Sequence, residues 1–429
     1  MGRDALKRLR EELGMSQETL AEEIGAAVST VASWERGEAT PRPRNRRRYA
    51  EALDITVDEL DAILDADARP NDADIVLDPS WTLGRARDLA AALSTDGGTA
   101  PMPSGAAARL VHEWLVTDPP QTVELTAGRR IGDAAVDRVI ARTDQLRHLD
   151  DYVAGRSLHA AVDREVRATA ALVRSASYSD AVGRRLLAAL ADLCQLAGWT
   201  NADAGLHRAA ERYYAAGLSA AHAAGDRQLA GQLVSSLAYH LANTGPPRDA
   251  VLLAQSAVAG AKAATGVVRA LFGERLAWAH ARAGDRVETD RALGRVEDAY
   301  ASPSGDGPEW AYWLDELEID VMAGRCWTEL GVAERARPLL ERALAGYDDQ
   351  RSREAALYLS WLAEAHLLAG DVDEAARTAQ RVLALTIATA SARSDARLDR
   401  LHHLLNPYGA VDEVRDFQDG YRSAGFGQR

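Results

Sequence analysis

The chain of 429 residues is short of two residue types that usually advertise chemistry. It has only two cysteines, Cys194 and Cys326, far apart and each inside an apolar helical pattern. That excludes a disulfide framework or a cysteine metal pair, and both are read as buried thiols. It has only two lysines, Lys7 and Lys262. Positive charge is therefore left to arginine, the better residue for bidentate contacts to phosphate and guanine, although a GC-rich coding sequence would produce much of the same bias. No apolar run approaches the length that crosses a bilayer, and the opening residues MGRDALKRLREE lack the apolar core of a signal peptide. A cytoplasmic protein without membrane contact is expected. Enzyme signatures are missing as well: no phosphate-binding G-x4-GK, no dinucleotide fingerprint, no G-x-S-x-G and no cluster of metal ligands. His112-Glu113 lacks the second histidine of a zinc protease motif, and His402-His403 reads as half core, half solvent. No enzymatic activity, metal or cofactor is expected.

What is present is an ordinary soluble composition, long enough for two or more well-buried domains. The formal charge of −14 argues against a chain that coats nucleic acid over its whole surface. The charge is uneven, however. Between Arg36 and Arg48 six arginines (36, 42, 44, 46, 47 and 48) face one acid, Glu38, which makes one confined anion-facing patch.

Residues 1–65 read as five short helices. DALKRLREELG puts Ala5, Leu6, Leu9 and Leu13 on one face and stops at Gly14. SQETLAEEIG opens on Ser16, a good N-cap, and ends at Gly25. AVSTVASWERG is the third helix, and the prolines of EATPRPR then keep a loop out of helix. NRRRYAEALDI is the fourth. TVDELDAIL, with Thr56 and Glu59 as a capping box, is the fifth. Val31 and Trp34 share a face three residues apart and should pack inward. Ser29, Ser33 and Arg36 form another stripe, bordered by Val28.

Two short helices joined by a tight turn inside a small bundle follow the helix-turn-helix plan. The run from Leu6 to Pro41 resembles the helix-turn-helix domain of the phage-repressor/Cro-like (XRE) class. The resemblance is carried by Leu13-Gly14, Ser16-Gln17, Leu20-Ala21, Ile24-Gly25, Val31, Trp34-Glu35 and Gly37. It implies that Gln17 meets a phosphate at a helix N-terminus, that Val28, Ser29 and Ser33 face base edges, and that Arg36, Arg42 and Arg44 hold the DNA backbone. It also implies a structural ion pair between Arg10 and Glu35, and a homodimer on paired half-sites of a double-stranded operator. Two positions depart from the pattern. Ala27 stands where a capping hydroxyl or amide is usual. Val28 can pack on a thymine methyl but cannot make a bidentate adenine contact, which shifts the reading toward arginine and DNA shape. Residues 1–65 also carry fourteen acids against ten basic residues, so non-specific binding should be modest and salt-sensitive.

Residues 66–120 read as a linker with short helices, rich in Pro, Gly, Ser and Asp at DADARPNDAD and STDGGTAPMPSG. Beyond them helix follows helix with almost no strand signal. Gly198, Gly245, Gly284, Gly331 and Gly370 are spaced 47, 39, 47 and 39 apart, and three of them carry Ala five residues later. The unit AALYLSWLAEAHLLAGDVDEAARTAQRVLAL resembles a tetratricopeptide repeat with lengthened helices, and such hairpins stack into a solenoid with a concave face. The joint layout resembles a large group of actinomycete regulators that combine the two modules.

The expected fold is all-α: an N-terminal five-helix helix-turn-helix domain (1–65), a linker, and an α-solenoid of tetratricopeptide-like repeats (121–429) for dimerisation and effector binding. Gln232, Ser235, Ser236, Tyr239, His240 and Asn243 form a polar stripe, with Glu274, Trp278 and Arg282 on the next repeat and Trp310, Trp313, Glu316 and Asp320 after it. Two readings stay open. The tryptophans are core and the stripe is solvated, or these lines converge on a groove for a peptide, protein or small-molecule effector. The latter candidates are Gln232, Ser236, Tyr239, His240, Asn243, Trp278 and Trp313. The charge of −10 beyond residue 65 favours a cationic or neutral ligand. The functional expectation is a sequence-specific, nucleoid-associated transcriptional regulator. The alternative is a protein-interaction adaptor with weak or vestigial DNA binding.

Overall fold

The computed structural model describes residues 3–35, 41, 43–53, 55–56, 60, 88–89, 93, 105–151, 155–260, 263–302, 307–345, 352–389 and 392–426. They fall into two compact units, the first within Met1–Asp74 and the second holding the described residues from 88 to 426.

The first unit contains α1 (Arg3–Glu12), α2 (Gln17–Ile24), α3 (Val28–Glu35) and α4 (Pro43–Ala52). Ser16 caps α2 by accepting the Thr19 N–H at 3.1 Å. Gly25 ends α2 at φ 69°, a left-handed conformation that costs glycine little. Leu6, Leu20, Ile24, Val31, Trp34 and Tyr49 are buried together, and the Trp34 and Tyr49 rings lie 5.3 Å apart, which ties α4 to α3. Leu13 departs from its expected place and is 43% exposed. Helix α1 stops at Glu12, so Leu13 sits in the turn where the helical period no longer holds. The expected fifth helix lies outside the described residues except for Leu60, which is helical and fully buried.

Among the described residues the second unit's regular structure is helical apart from one two-residue parallel pair, β1 (Arg129–Arg130) with β2 (Ala176–Ser177), and an antiparallel bridge between Leu125 and Tyr178. Two residues are too few to leave an alternating pattern in the sequence. It opens with α5 (Ala106–Val116), whose Trp114 is 1% exposed and packed into the main core. This stretch, inside the expected linker, is a docked helix. Then come α6 (Asp133–Asp150) and α7 (Gly155–Ser175).

Six consecutive helix pairs follow. They are α8 (Asp180–Asp203) with α9 (His207–Ala224), α10 (Arg227–Thr244) with α11 (Pro247–Gly260), and α12 (Gly266–Arg282) with α13 (Arg286–Tyr300). The second three are α14 (Glu316–Glu329) with α15 (Ala333–Ala345), α16 (Ser352–Leu368) with α17 (Val372–Thr389), and α18 (Ala392–Leu405) with α19 (Asp412–Ser423). The first helix of each pair packs on the first helix of the next, the arrangement of an α-solenoid. Glycine-aspartate turns help set the corners. Asp226 and Asp285 cap α10 and α13 through N–H bonds of 2.9 and 3.1 Å. The glycine spacing misread one position: Gly198 lies inside α8, not at a turn. An added Cβ there would fall 2.4 Å from the Tyr214 ring, so this glycine permits close helix packing.

Candidate functional site

Helix α3 divides into two faces. Val31, Trp34 and Glu35 point into the bundle, while Val28 (39% exposed) and Ser29 face out and Ser33 is half-buried. Ala27 has no side-chain oxygen, and its backbone carbonyl accepts from the N–H groups of Thr30 (2.9 Å) and Val31 (3.2 Å). The exposed N-terminal half of α3 is thus short, smooth and free of long side chains.

Behind it lies a buried polar knot. Arg10 Nε donates to Glu35 Oε1 at 2.6 Å and Arg10 Nη2 donates to Glu35 Oε2 at 3.1 Å, a bidentate pair. A third donor of Arg10 reaches the Met15 carbonyl at 2.7 Å. The Glu35 hydrogen bond raises the Arg10 pKa above its ordinary value against the opposing effect of burial. Gln17 Nε2 also donates to Glu35, at 2.7 Å. The Gln17 side chain therefore ties α2 to α3, leaving the backbone N–H groups at the start of α2 as the better phosphate donors. Of the arginine patch, Arg46 donates Nε to the Pro41 carbonyl at 3.1 Å, and Arg48 is exposed near Gly25. Arg36 and Arg42 lie outside the described residues, as does the side chain of Arg44.

In the second unit the seven candidate effector residues come together. Gln232, Ser236, Tyr239 and Trp313 line a chamber of about 110 Å³. Tyr239, His240, Asn243 and Trp278 line an adjoining one of about 410 Å³, and both chambers share Trp199, Tyr239, Arg325, Leu357 and Arg393. Much of the stripe is not solvated: Gln232, Ser235, Ser236, Tyr239 and His240 are buried, with Asn243 at the exposed end. Trp278 Nε1 donates to Asn243 Oδ1 at 3.2 Å, and Gln195 Nε2 donates to Ser236 Oγ at 3.3 Å. The first and last helix pairs meet here, because Arg393 on α18 donates to Asp203 on α8 at 2.7 Å and covers the Trp199 ring.

The local charges run against the net charge of the region. Arg393 is paired with Asp203, Arg397 and Arg400 with Glu364, and Arg282 with Glu329. Arg275 and Arg325, at 6% and 5% exposure, have no carboxylate within ion-pair reach among the described residues. Arg325 Nη2 donates to the Tyr239 hydroxyl at 2.9 Å, and its Nε has no hydrogen-bond partner. Arg275 lies 4.1 Å over the Tyr239 ring. Burial alone would raise the Tyr239 pKa, but the guanidinium groups of Arg325, Arg275 and Arg393 outweigh it and bring it down to about 7. Glu274 is buried with neither carboxylate oxygen hydrogen-bonded, and desolvation holds its pKa well above the usual range. These arginines, with Trp199 and Trp361, are the part of the cavity that the sequence stripe did not include.

Among the described residues no helix is long and apolar enough to cross a membrane. Cys194 and Cys326 are free and buried, and burial pushes the Cys326 thiol up to about 12. A search of curated proteins finds no match to the chain. Residues 6–60 match the helix-turn-helix family model, the segment that spans the α1–α4 bundle and the Arg10–Glu35 pair. An XRE-type helix-turn-helix at the N-terminus, and with it DNA binding in transcriptional regulation, is thereby supported.

Proposed function

We propose that the chain is a sequence-specific transcriptional regulator whose solenoid dimerises and senses an effector. The observation that carries the DNA-binding half is the outward face of α3, Val28 and Ser29, held by a buried ion pair within the matched segment. A recognition helix presents its N-terminal residues to the major groove, and a dimer places two such helices about 34 Å apart on paired half-sites. Val28 and Ser33 offer little hydrogen bonding, so discrimination leans on thymine methyls, arginine contacts and groove shape. The partly open cavity, lined by aromatic rings and arginines, supports the sensing half. An effector would act by binding one dimer geometry better than another, since only differential affinity shifts a population.

A gel shift against the DNA upstream of its own coding region, at low and moderate salt, tests the proposal. Binding should be selective and salt-sensitive, and lost in Val28→Glu, Arg36→Ala and Arg44→Ala. The acidic balance of residues 1–65 favours a second reading, an adaptor with vestigial DNA binding. Absence of selective binding at any salt would establish that reading instead.

A further inference from the structure

We infer that the solenoid cavity binds a small aromatic anion, its carboxylate or phosphate held by Arg275 and Arg325 and its ring held among Trp199, Trp278 and Trp313. This rests on the reading of the solenoid as an effector domain and adds the chemical class of the effector. Three observations support it independently. Two guanidinium groups are more than nine-tenths buried in one cavity and, among the described residues, no carboxylate lies within 4.0 Å of either, although neighbouring arginines each have one. Buried charges in proteins are paired, and leaving one bare costs several kcal/mol, so such a pair marks a place for a counter-anion. The walls are aromatic: Trp278 and Trp361 meet edge to face with centroids 5.4 Å apart, and Trp199 stacks on Tyr239 at 5.9 Å. The proposed site spans both chambers: Arg275 and Trp313 line the one of about 110 Å³, Trp278 the one of about 410 Å³, and Arg325 and Trp199 line both, the larger being in the range of small-molecule sites.

The nearest group that can serve as an internal anion is Tyr239 itself. Its hydroxyl accepts from Arg325 of α14, Arg275 of α12 lies over its ring, and the charge of Arg393 on α18 also acts on it, with Tyr214 of α9 and Glu274 of α12 as the other titratable groups in this charge cluster. Arg393 is already paired with Asp203, and burial shifts Glu274 toward its neutral form. An incoming carboxylate or phosphate would replace the phenolate as partner of Arg325 and Arg275. Tyr239 would then recover its proton, so binding takes up about half a proton at about pH 7, approaches one by about pH 8, and tightens as pH falls.

Isothermal titration calorimetry on the full chain tests this with indole-3-acetate, phenylacetate, phenyl phosphate and tryptamine as probes. Indole-3-acetate and tryptamine share a ring and differ in charge. One or more of the anions should bind at least about tenfold more tightly than tryptamine, and phenylacetate against phenyl phosphate, which share a ring, tells carboxylate from phosphate. Arg325→Met should weaken the anion at least about tenfold, and Arg325→Lys should recover part of that loss. The charge comparison on the unaltered chain needs no variant, so misfolding of Arg325→Met leaves the test intact. Equal binding of all four probes, preference for tryptamine, or no binding of any anion overturns the inference. The calorimetry uses no DNA. Anion binding that leaves the gel shift unchanged would overturn the sensing role while keeping the site, and a failed gel shift leaves the calorimetric result standing.

Discussion

The Arg10–Glu35 pair offers the sharpest test of how the N-terminal bundle is held. Both side chains are more than nine-tenths buried, and Glu35 accepts from Arg10 twice and from Gln17 once. Glu35→Ala leaves a buried guanidinium with the Met15 carbonyl and the half-exposed Glu11 carboxylate at 3.9 Å, and strips the Gln17 amide of its partner. Breaking one side of a buried pair costs about 3–5 kcal/mol. A bundle of this size has roughly 3–10 kcal/mol in all, so the change removes between a third and the whole of it. Hydrogen exchange on the full chain, read over peptides covering α2 and α3, should accelerate by roughly a hundredfold to several thousandfold at about 1.4 kcal/mol per tenfold. Exchange in α8–α19 should not move, because those helices belong to a separate compact unit. The double change Arg10→Met with Glu35→Leu should restore most of the protection, since it leaves no uncompensated charge. If Glu35→Ala exchanges like the unaltered chain, or the double variant is no better than the single one, the assignment of stability to this pair is wrong.

Three further outcomes follow from the solenoid. Gly198→Ala should lower the melting temperature measured by calorimetry. The added methyl collides with the Tyr214 ring at 2.4 Å, and overpacking of about 1–3 kcal/mol exceeds the roughly 1 kcal/mol of helix propensity gained. An unchanged or higher value would mean that α8 and α9 are less closely packed. Burial raises the Glu274 pKa, so its neutral form contributes stability below the ordinary carboxylate range that is lost as pH rises toward the folded value. Glu274→Gln should therefore match the unaltered chain in urea unfolding at about pH 4.5 and exceed it at about pH 7.5, and a pH-independent gap contradicts this. Tyr239, lowered to about 7, contributes stability that is full above the ordinary tyrosine value and lost as pH falls through about 7. The stability advantage over Tyr239→Phe should grow by roughly a few kcal/mol between about pH 7 and 10, with a tyrosinate absorbance band that Tyr239→Phe lacks. A constant difference and an unchanged band would refute the ionisation.

The boundaries of α2 are legible because their signals are local, whereas α4 opens at Pro43 inside the expected loop, a proline being well suited to the first turn of a helix. Ser16 and Gly25 act through their own backbone neighbourhood, and Val31 and Trp34 point inward by period alone. Leu13 failed for the complementary reason: period assigns a face only while the helix lasts, and α1 ends one residue before it. The polar stripe of α10 was likewise legible as a line on one helix face. Its burial was not, because whether a face is wet depends on α6, α14, α16 and α18, which are remote in sequence and arrive only when the solenoid wraps round.

Net charge misled most at the cavity. A region of charge −10 suggested a cationic or neutral guest, yet a guest feels the few charges within a Debye length or less, strengthened by a low local dielectric. The acids of this region are largely spent on the outer surface and on pairs such as Arg335–Asp290 and Arg342–Asp320. The arginines that matter had one sequence signal. Arg275 is flanked at i−4, i−3, i+3 and i+4 by Leu271, Phe272, Trp278 and Ala279, so no solvent face is available to it in a helix. Apolar residues at all four helical neighbours favour burial of an arginine, and a buried arginine favours an anionic partner. Arg282 and Arg397 find theirs in Glu329 and Glu364, within the chain; Arg275 does not, which leaves the ligand as the place to look for it.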